Sequence, residues 1–208
     1  MGRSRPFRGK NGRKTGEREK INIYMWIKFA SLNVNGLRAT VDGIPKRRKL
    51  FTWLKGLNLD VIFLQETHCD SDFERIVRSE WGGKCFFAHG NSRSRGVATM
   101  FNPRGFMDAT EVRSCPDGRF IVVKVEVNRT ALLLANVYGP NHDDPTTFQN
   151  LFHECEEMNS ELVILGGDWN FVLNVKLDRL TTAQRVANNH RCKNIATCFM
   201  QHKNIIDI

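Results

Sequence analysis

From Asp60 to Glu66 the chain reads Asp-Val-Ile-Phe-Leu-Gln-Glu, four large apolar residues in a row with a carboxylate at the end. A run this short is strand length, and apolar side chains at consecutive positions leave neither face of the strand for water. Whatever fold holds it must cover it on both sides. Helical patterns flank it. Before it, Pro45 opens a helix in which Leu50, Phe51, Leu54 and Leu57 form an apolar stripe. Lys46-Arg47-Arg48-Lys49 in its first turn reads as a solvated charge run, because cations oppose the helix dipole there. After it, Ser71-x-x-Glu74 reads as a capping box, with Phe73, Ile76, Val77 and Trp81 as the inward face of a second helix. An earlier strand spans Trp26–Val34, with Ile27, Phe29, Ser31 and Asn33 on one face. Strand, helix, strand, helix is an α/β order.

Further along, the texture changes. Lys84–His89, Gly96–Asn102, Phe106–Arg113, Arg119–Val127 and Ala131–Val137 are strand-like runs joined by short turns, the last pair by Asn128-Arg129-Thr130. They read as an antiparallel meander. Asp144-Pro145 starts a helix with Phe148, Leu151, Phe152, Cys155 and Met158 buried. Leu162–Leu165 is a buried strand that Gly166-Gly167 ends, so that Asp168 and Asn170 stand in the following loop. An irregular loop over Phe171–Thr182 leads to a helix over Ala183–Gln201, with Val186, Cys192, Ile195, Ala196 and Phe199 inward. Ile205–Ile208 begins another strand. The expected organisation is a tail over residues 1–23 and one α/β domain over 24–208.

The charge is concentrated at the start. Residues 1–20 hold eight Lys and Arg against Glu17 and Glu19, a surplus of six in a chain whose formal net charge is +9. The high pI is mostly a property of this Gly-rich, non-periodic tail, which reads as disordered and suits nucleic-acid attraction. The apolar runs are too short to cross a membrane and the N-terminus has no apolar secretory core. The expectation is a nuclear or cytoplasmic monomer, not secreted. The six cysteines include no Cys-x-x-Cys pair and read as reduced thiols; Cys192 and Cys198 with His190 fit no zinc-finger spacing.

Four strand exits carry polar side chains that a core would not hold: Asn33 and Asn35, Glu66, Tyr138 and Asn141, Asp168 and Asn170. If these strands are neighbours, their ends share one rim, where ligands of α/β sheets sit. A cluster rich in oxygen, without Cys, suits a hard ion such as Mg²⁺ or Mn²⁺ that leaves part of its shell to water and phosphate. That mix fits phosphodiester hydrolysis, with Glu66 as metal ligand and Asp168 drawing the proton from an attacking water. Asn33, Asn170 and Tyr138 would position phosphoryl oxygens. Arg93, Arg95 and Arg104 are candidates to track a DNA backbone, although such arginines are more often solvated loop charges.

Asn33-Val-Asn35-Gly-Leu37, Gln65-Glu66-Thr67, Asn136-Val-Tyr138-Gly-Pro-Asn141 and Gly166-Gly-Asp168-Trp-Asn170 together resemble the ordered motifs of the exonuclease–endonuclease–phosphatase superfamily. The nearest branch is the apurinic-type endonuclease domain of non-LTR, LINE-type retrotransposons. The resemblance implies a four-layer sandwich of two mainly antiparallel sheets faced by helices, a divalent metal on Glu66, and a DNA-nicking hydrolase. Asn33 would contact the catalytic site; Tyr138, Asp168 and Asn170 would serve phosphate, nucleophilic water and its orientation. Asn35 stands where apurinic endonucleases usually carry Asp, and a carboxamide is a poorer metal ligand. The family's closing Ser/Thr-rich strand, structural Asp and Asp-His pair are expected to be missing, leaving the sandwich incomplete. His68, beside Glu66, is the candidate imidazole at the site, with a surface or supporting role. Two alternatives follow: a truncated remnant without turnover, or a nucleic-acid-binding module acting through the basic tail. An inositol-phosphate phosphatase or lipid phosphodiesterase shares the superfamily core but fits the Asn-Gly-Leu and Gly-Pro-Asn contexts less well.

Overall fold

The computed structural model describes residues 26–105, 107–173 and 190–207. The basic tail, Phe106, most of the loop expected at 171–182, residues 183–189 of the last expected helix with Val186, and Ile208 lie outside the described residues. In chain order the elements are β1 (Phe29–Asn33), a short hairpin of β2 (Thr40–Val41) and β3 (Ile44–Pro45), α1 (Lys46–Gly56), β4 (Val61–Gln65), α2 (Ser71–Trp81), β5 (Cys85–Ala88), β6 (Val97–Phe101), β7 (Asp108–Ser114), β8 (Phe120–Val127), β9 (Thr130–Tyr138), α3 (Thr146–Glu157), β10 (Leu162–Asp168) and α4 (His190–His202).

Two four-stranded sheets result, in the orders β1-β4-β6-β5 and β10-β9-β8-β7. In each, one pair is parallel, β1 with β4 and β10 with β9, and the other pairings are antiparallel. Three apolar clusters define four layers. Ile62, Leu64, Ala98 and Met100 face Phe51, Leu54, Phe73, Val77 and Trp81 of α1 and α2. On the opposite outer side Val122, Leu133, Ala135 and Val137 face Phe148, Leu151 and Phe152 of α3 and Cys192, Ala196 and Phe199 of α4. Between the sheets lie Val61, Phe63, Val97, Phe101, Ile121, Val123 and Leu134. The all-apolar β4 is thus covered twice, by helices and by the second sheet. The described residues form the α/β sandwich that the resemblance implies.

Several elements differ from the sequence reading. The five middle runs are not one meander: β5 and β6 complete the first sheet, and β7, β8 and β9 build the second. Alternation shows that a strand has two faces but not which sheet it joins. Nor is β10 a buried strand ended by its glycines. It is a half-buried edge strand that runs through both glycines, pairing Gly166 with Asn136, Gly167 with Val137 and Asp168 with Tyr138. The glycines serve close approach, since a Cβ on Gly166 would lie 2.7 Å from the Phe63 ring, and one on Gly167 would strike the Val137 backbone.

The cap of α2 is Asp70, whose Oδ1 accepts the Phe73 N–H at 2.9 Å, and not Ser71. Glu74 instead meets His89 Nε2 at 2.8 Å. Phe73, Val77 and Trp81 make the buried line, while Ile76 on its flank is 45% exposed. The basic run of α1 is only partly solvated. Arg47 is 11% exposed and grips Glu80 through Nε at 2.8 Å and Nη2 at 3.0 Å, and Lys46 Nζ donates to Val34 O at 2.5 Å and Asn35 O at 3.3 Å. The first turn of α1 abuts both the exit of β1 and α2, and Arg48 reaches Glu80 at 3.0 Å and Lys49 reaches Asp42 at 3.2 Å, so all four cations find protein partners. Residues 205–207 carry no regular secondary structure.

Candidate active site

β1, β4, β9 and β10 deliver the predicted residues to one edge of the sandwich. Asn33 and Gln65 are register partners at the ends of β1 and β4, which puts Glu66 one residue past the strand beside Asn33. Tyr138 and Asp168 are register partners at the ends of β9 and β10. The Asn33 carboxamide closes the gap between sheets. Its Nδ2 donates to Glu66 Oε1 at 2.7 Å and to Asp168 Oδ2 at 2.9 Å, while its Oδ1 accepts the Asn35 N–H at 3.0 Å. One amide thereby bridges two carboxylates 102 positions apart in the chain (66 and 168).

The other members sit around this bridge. The Tyr138 hydroxyl donates to Glu66, and Asn141 reaches the same phenol. Asp168 Oδ1 accepts the Asn170 N–H at 3.2 Å, and Asn170 Nδ2 donates to Gly139 O at 2.8 Å. His68 Nε2 is buried and stands 3.6 Å from Glu66 Oε2. Gly36 makes room for that imidazole: its φ is +81°, and a Cβ there would lie 2.9 Å from His68 Nδ1. Asn35, Glu66, His68 and Asn170 all have φ between 43° and 54°, in the left-handed region. The strand exits therefore turn sharply, aiming these side chains along the rim instead of into either core.

Burial pushes the Glu66 carboxyl up, but hydrogen bonds from Asn33 and Tyr138 and the adjacent His68 imidazole outweigh it and hold it below the ordinary glutamate value. Burial and the Glu66 carboxylate together push the Tyr138 phenol up, keeping it a donor. Because the folded Glu66 value is depressed, its contribution to stability is complete above the ordinary value, about 4.3. That contribution disappears as pH falls through the lower folded value. In urea unfolding followed from about pH 6 to about pH 3, Glu66→Gln should therefore lose less stability than the parent over the acid part of the range. Equal losses would refute the assignment.

Among the residues predicted outside this cluster, Arg95 and Arg93 belong to the β5–β6 loop, which is laced to the Glu66 exit through Thr67 N to Gly96 O at 2.9 Å and His68 N to Arg95 O at 3.0 Å. Arg95 pairs with Asp117 at 3.4 Å, and Arg93 is exposed. Arg104 follows Asn102, whose N–H bonds Asp60 O at the start of β4. It is therefore at the far end of the sheet from Glu66. Asn35 contributes its backbone to the Asn33 contact while its side chain is exposed.

Sequence reasoning missed two supports. Gln65 and Asn136, both fully buried, bond across the sheets at 2.8 Å directly beneath Glu66 and Tyr138. The signal was present: an amide inside an apolar strand needs a partner. Arg119, at the mouth of β8, reaches Gly139 O at 3.0 Å.

Two packed sheets clad by helices, with carboxylates, carboxamides and a phenol at their shared edge, define the class. The chain belongs to the endonuclease/exonuclease/phosphatase family, which it matches over residues 30–184. Over 188 residues it is 28% identical to the Transposon TX1 uncharacterized 149 kDa protein of Xenopus laevis, covering 88% of this chain and 14% of that protein. The chain thus spans a small part of that relative's length. Among solved structures it resembles the AP endonuclease LMAP from Leishmania major, with TM-score 0.66, 15% identity, 86% of this chain and 67% of that one. It also resembles the APE2 catalytic domain of Xenopus laevis, with TM-score 0.59, 20% identity, 83% and 67% coverage. At these identities the likeness extends to the fold.

Proposed function

We propose that this chain is a Mg²⁺-dependent phosphodiesterase that nicks DNA, of the type carried by LINE-like retrotransposons. The observation that carries the reading is the Asn33 amide joining Glu66 of one sheet to Asp168 of the other. No core contact needs two carboxylates on one amide, and the like charges so gathered suit a bound cation.

The donor set fits a hard ion. Among the described residues no group of three or more His, Cys, Asp and Glu side chains converges, so the oxygens come from Glu66, Asp168 and neighbouring amides. Mg²⁺ takes one or two carboxylates and keeps water and phosphate for the rest. Glu66 would hold it, ionised by the hydrogen bonds it accepts. When bound, the metal offsets charge that develops on the phosphate and the leaving oxygen. Asp168 takes the proton of the attacking water, and its Oδ1 is fixed by the Asn170 N–H. Tyr138 and Asn141 present a phenol and an amide to phosphoryl oxygens, and Asn33 keeps the two carboxylates in register. Arg93, exposed on the laced loop, would meet a phosphate further along the strand.

The test is a plasmid assay. The 208-residue chain with supercoiled DNA and Mg²⁺ should convert it to open circles, a chelator should stop this, and Glu66→Ala should abolish it. An intact plasmid in the presence of folded protein, or nicking unchanged in Glu66→Ala, would refute the reading. The surplus of positive charge in residues 1–20 supports a second reading, a binding module without turnover. For it, deleting those residues removes most of the DNA affinity and flattens its salt dependence, while no nicking is seen.

A further inference from the structure

Arg119 has an environment that the chemistry above leaves unexplained. Its side chain is 12% exposed, yet the carboxylate beside it, Asp117 Oδ2, is 4.0 Å from Nε and also serves Arg95 at 3.4 Å. A cation so far out of water needs stronger compensation than one long, shared ion pair. It finds this compensation in the site. Arg119 Nη1 donates to Gly139 O at 3.0 Å and lies 3.4 Å from Tyr138 O. The guanidinium carbon sits 5.1 Å from the Tyr138 ring centroid, within cation–π range. The backbone carbonyl of Arg119 accepts the Tyr138 N–H at 2.7 Å, so the two residues are also locked as strand neighbours.

Gly139 is where these contacts converge with the reacting groups. Its carbonyl accepts from Arg119 and, at 2.8 Å, from Asn170 Nδ2, while its N–H donates to Asp168 O at 2.7 Å. A planar guanidinium can hold a carbonyl with one edge and cover an aromatic face with its plane; an ammonium cannot do both. We propose that Arg119 is a positioning residue of this site: its guanidinium fixes the Gly139 carbonyl and the Tyr138 ring, and so sets the places of the Asn170 carboxamide and the Tyr138 hydroxyl. The inference rests on the phosphodiesterase reading for its kinetic consequence, but its structural content can be measured without turnover. Burial, then the charge of Arg95, pulls the guanidinium down from its ordinary value. That agrees with a cation placed for geometry and not for contact with solvent or substrate.

The experiment compares Arg119→Met and Arg119→Lys with the parent in two arms. In plasmid nicking, kcat should fall roughly tenfold to a hundredfold in Arg119→Met with KM for DNA little changed, and Arg119→Lys should recover only part of it. A raised KM with unchanged kcat would make Arg119 a phosphate contact and overturn the proposal, as would full activity in Arg119→Lys. The second arm uses protein carrying ¹³C-tyrosine, of which the chain has two, Tyr24 and Tyr138. The Tyr138 ring resonances, assigned with a Tyr24→Phe variant, should move in both variants. If the parent does not nick DNA, the functional reading fails and this arm still decides: unmoved Tyr138 resonances would overturn the positioning role. Should Arg119→Met not fold, Arg119→Lys carries both arms.

Discussion

Asp168→Asn should nick supercoiled DNA about 10²- to 10⁴-fold more slowly than the parent, the range that removal of a positioned general base produces. The substitution is nearly isosteric. The carboxylate meets Asn33 Nδ2 at 2.9 Å and the Asn170 N–H at 3.2 Å through different oxygens, and a carboxamide, with one oxygen, can keep one of these contacts. The fold should persist with a stability loss of one hydrogen bond, roughly 1 kcal/mol, and the larger loss should lie in kcat. A ligand role would give a different result: if Asp168 served mainly to hold the cation, raising Mg²⁺ would restore much of the rate. A general base predicts that it does not. Activity of the Asn variant within about tenfold of the parent would remove Asp168 from the chemistry.

Asn136→Leu should cost about 2–4 kcal/mol of stability, read as a lower urea midpoint with an unchanged slope. The Asn136 side chain accepts from Gln65 Nε2 at 2.8 Å and donates to Leu64 O at 3.2 Å and Ala98 O at 2.9 Å, with no exposure to water. Removing it deletes three buried hydrogen bonds, each worth about 1 kcal/mol net, while Gln65 Nε2 keeps Ser31 Oγ at 3.1 Å. The Gln65→Leu/Asn136→Leu pair should be more stable than the sum of the single losses, because it removes both ends of the inter-sheet bond. Additive losses would show that the two amides are not coupled. The same clasp lies one residue before Glu66 and two before Tyr138. The single Leu variant should thus also lose activity below its melting transition.

What could be read from the sequence was what depends on local pattern. Strands, helices and their buried stripes follow from spacing, and Phe51, Leu54, Val77, Trp81, Phe148 and Leu151 are buried as that spacing requires. The gathering of Asn33, Glu66, Tyr138, Asp168 and Asn170 at one rim was also legible, since each sits at a strand end. Three kinds of information were not. Sheet membership depends on long-range pairing, so β5 and β6 were grouped with the wrong sheet. The Gly166-Gly167 pair looks the same whether it ends a strand or lets a ring and a neighbouring strand come close. The role of Arg119 depends on a carbonyl 20 positions away, at Gly139, and no linear motif marks it.

Glu66, His68 and Asn170 occupy backbone that L-residues other than Asn and Gly avoid. For Glu66, at φ 52°, the conformational penalty is about 1 kcal/mol, and a carboxylate is kept there despite it. On the proposed phosphodiesterase reading, a demand for the carboxylate would pull this position against its backbone strain. A descendant freed of that demand would accept Gly or Asn at position 66, relieving the backbone while giving up the hydrogen bonds that Glu66 receives from Asn33 and Tyr138.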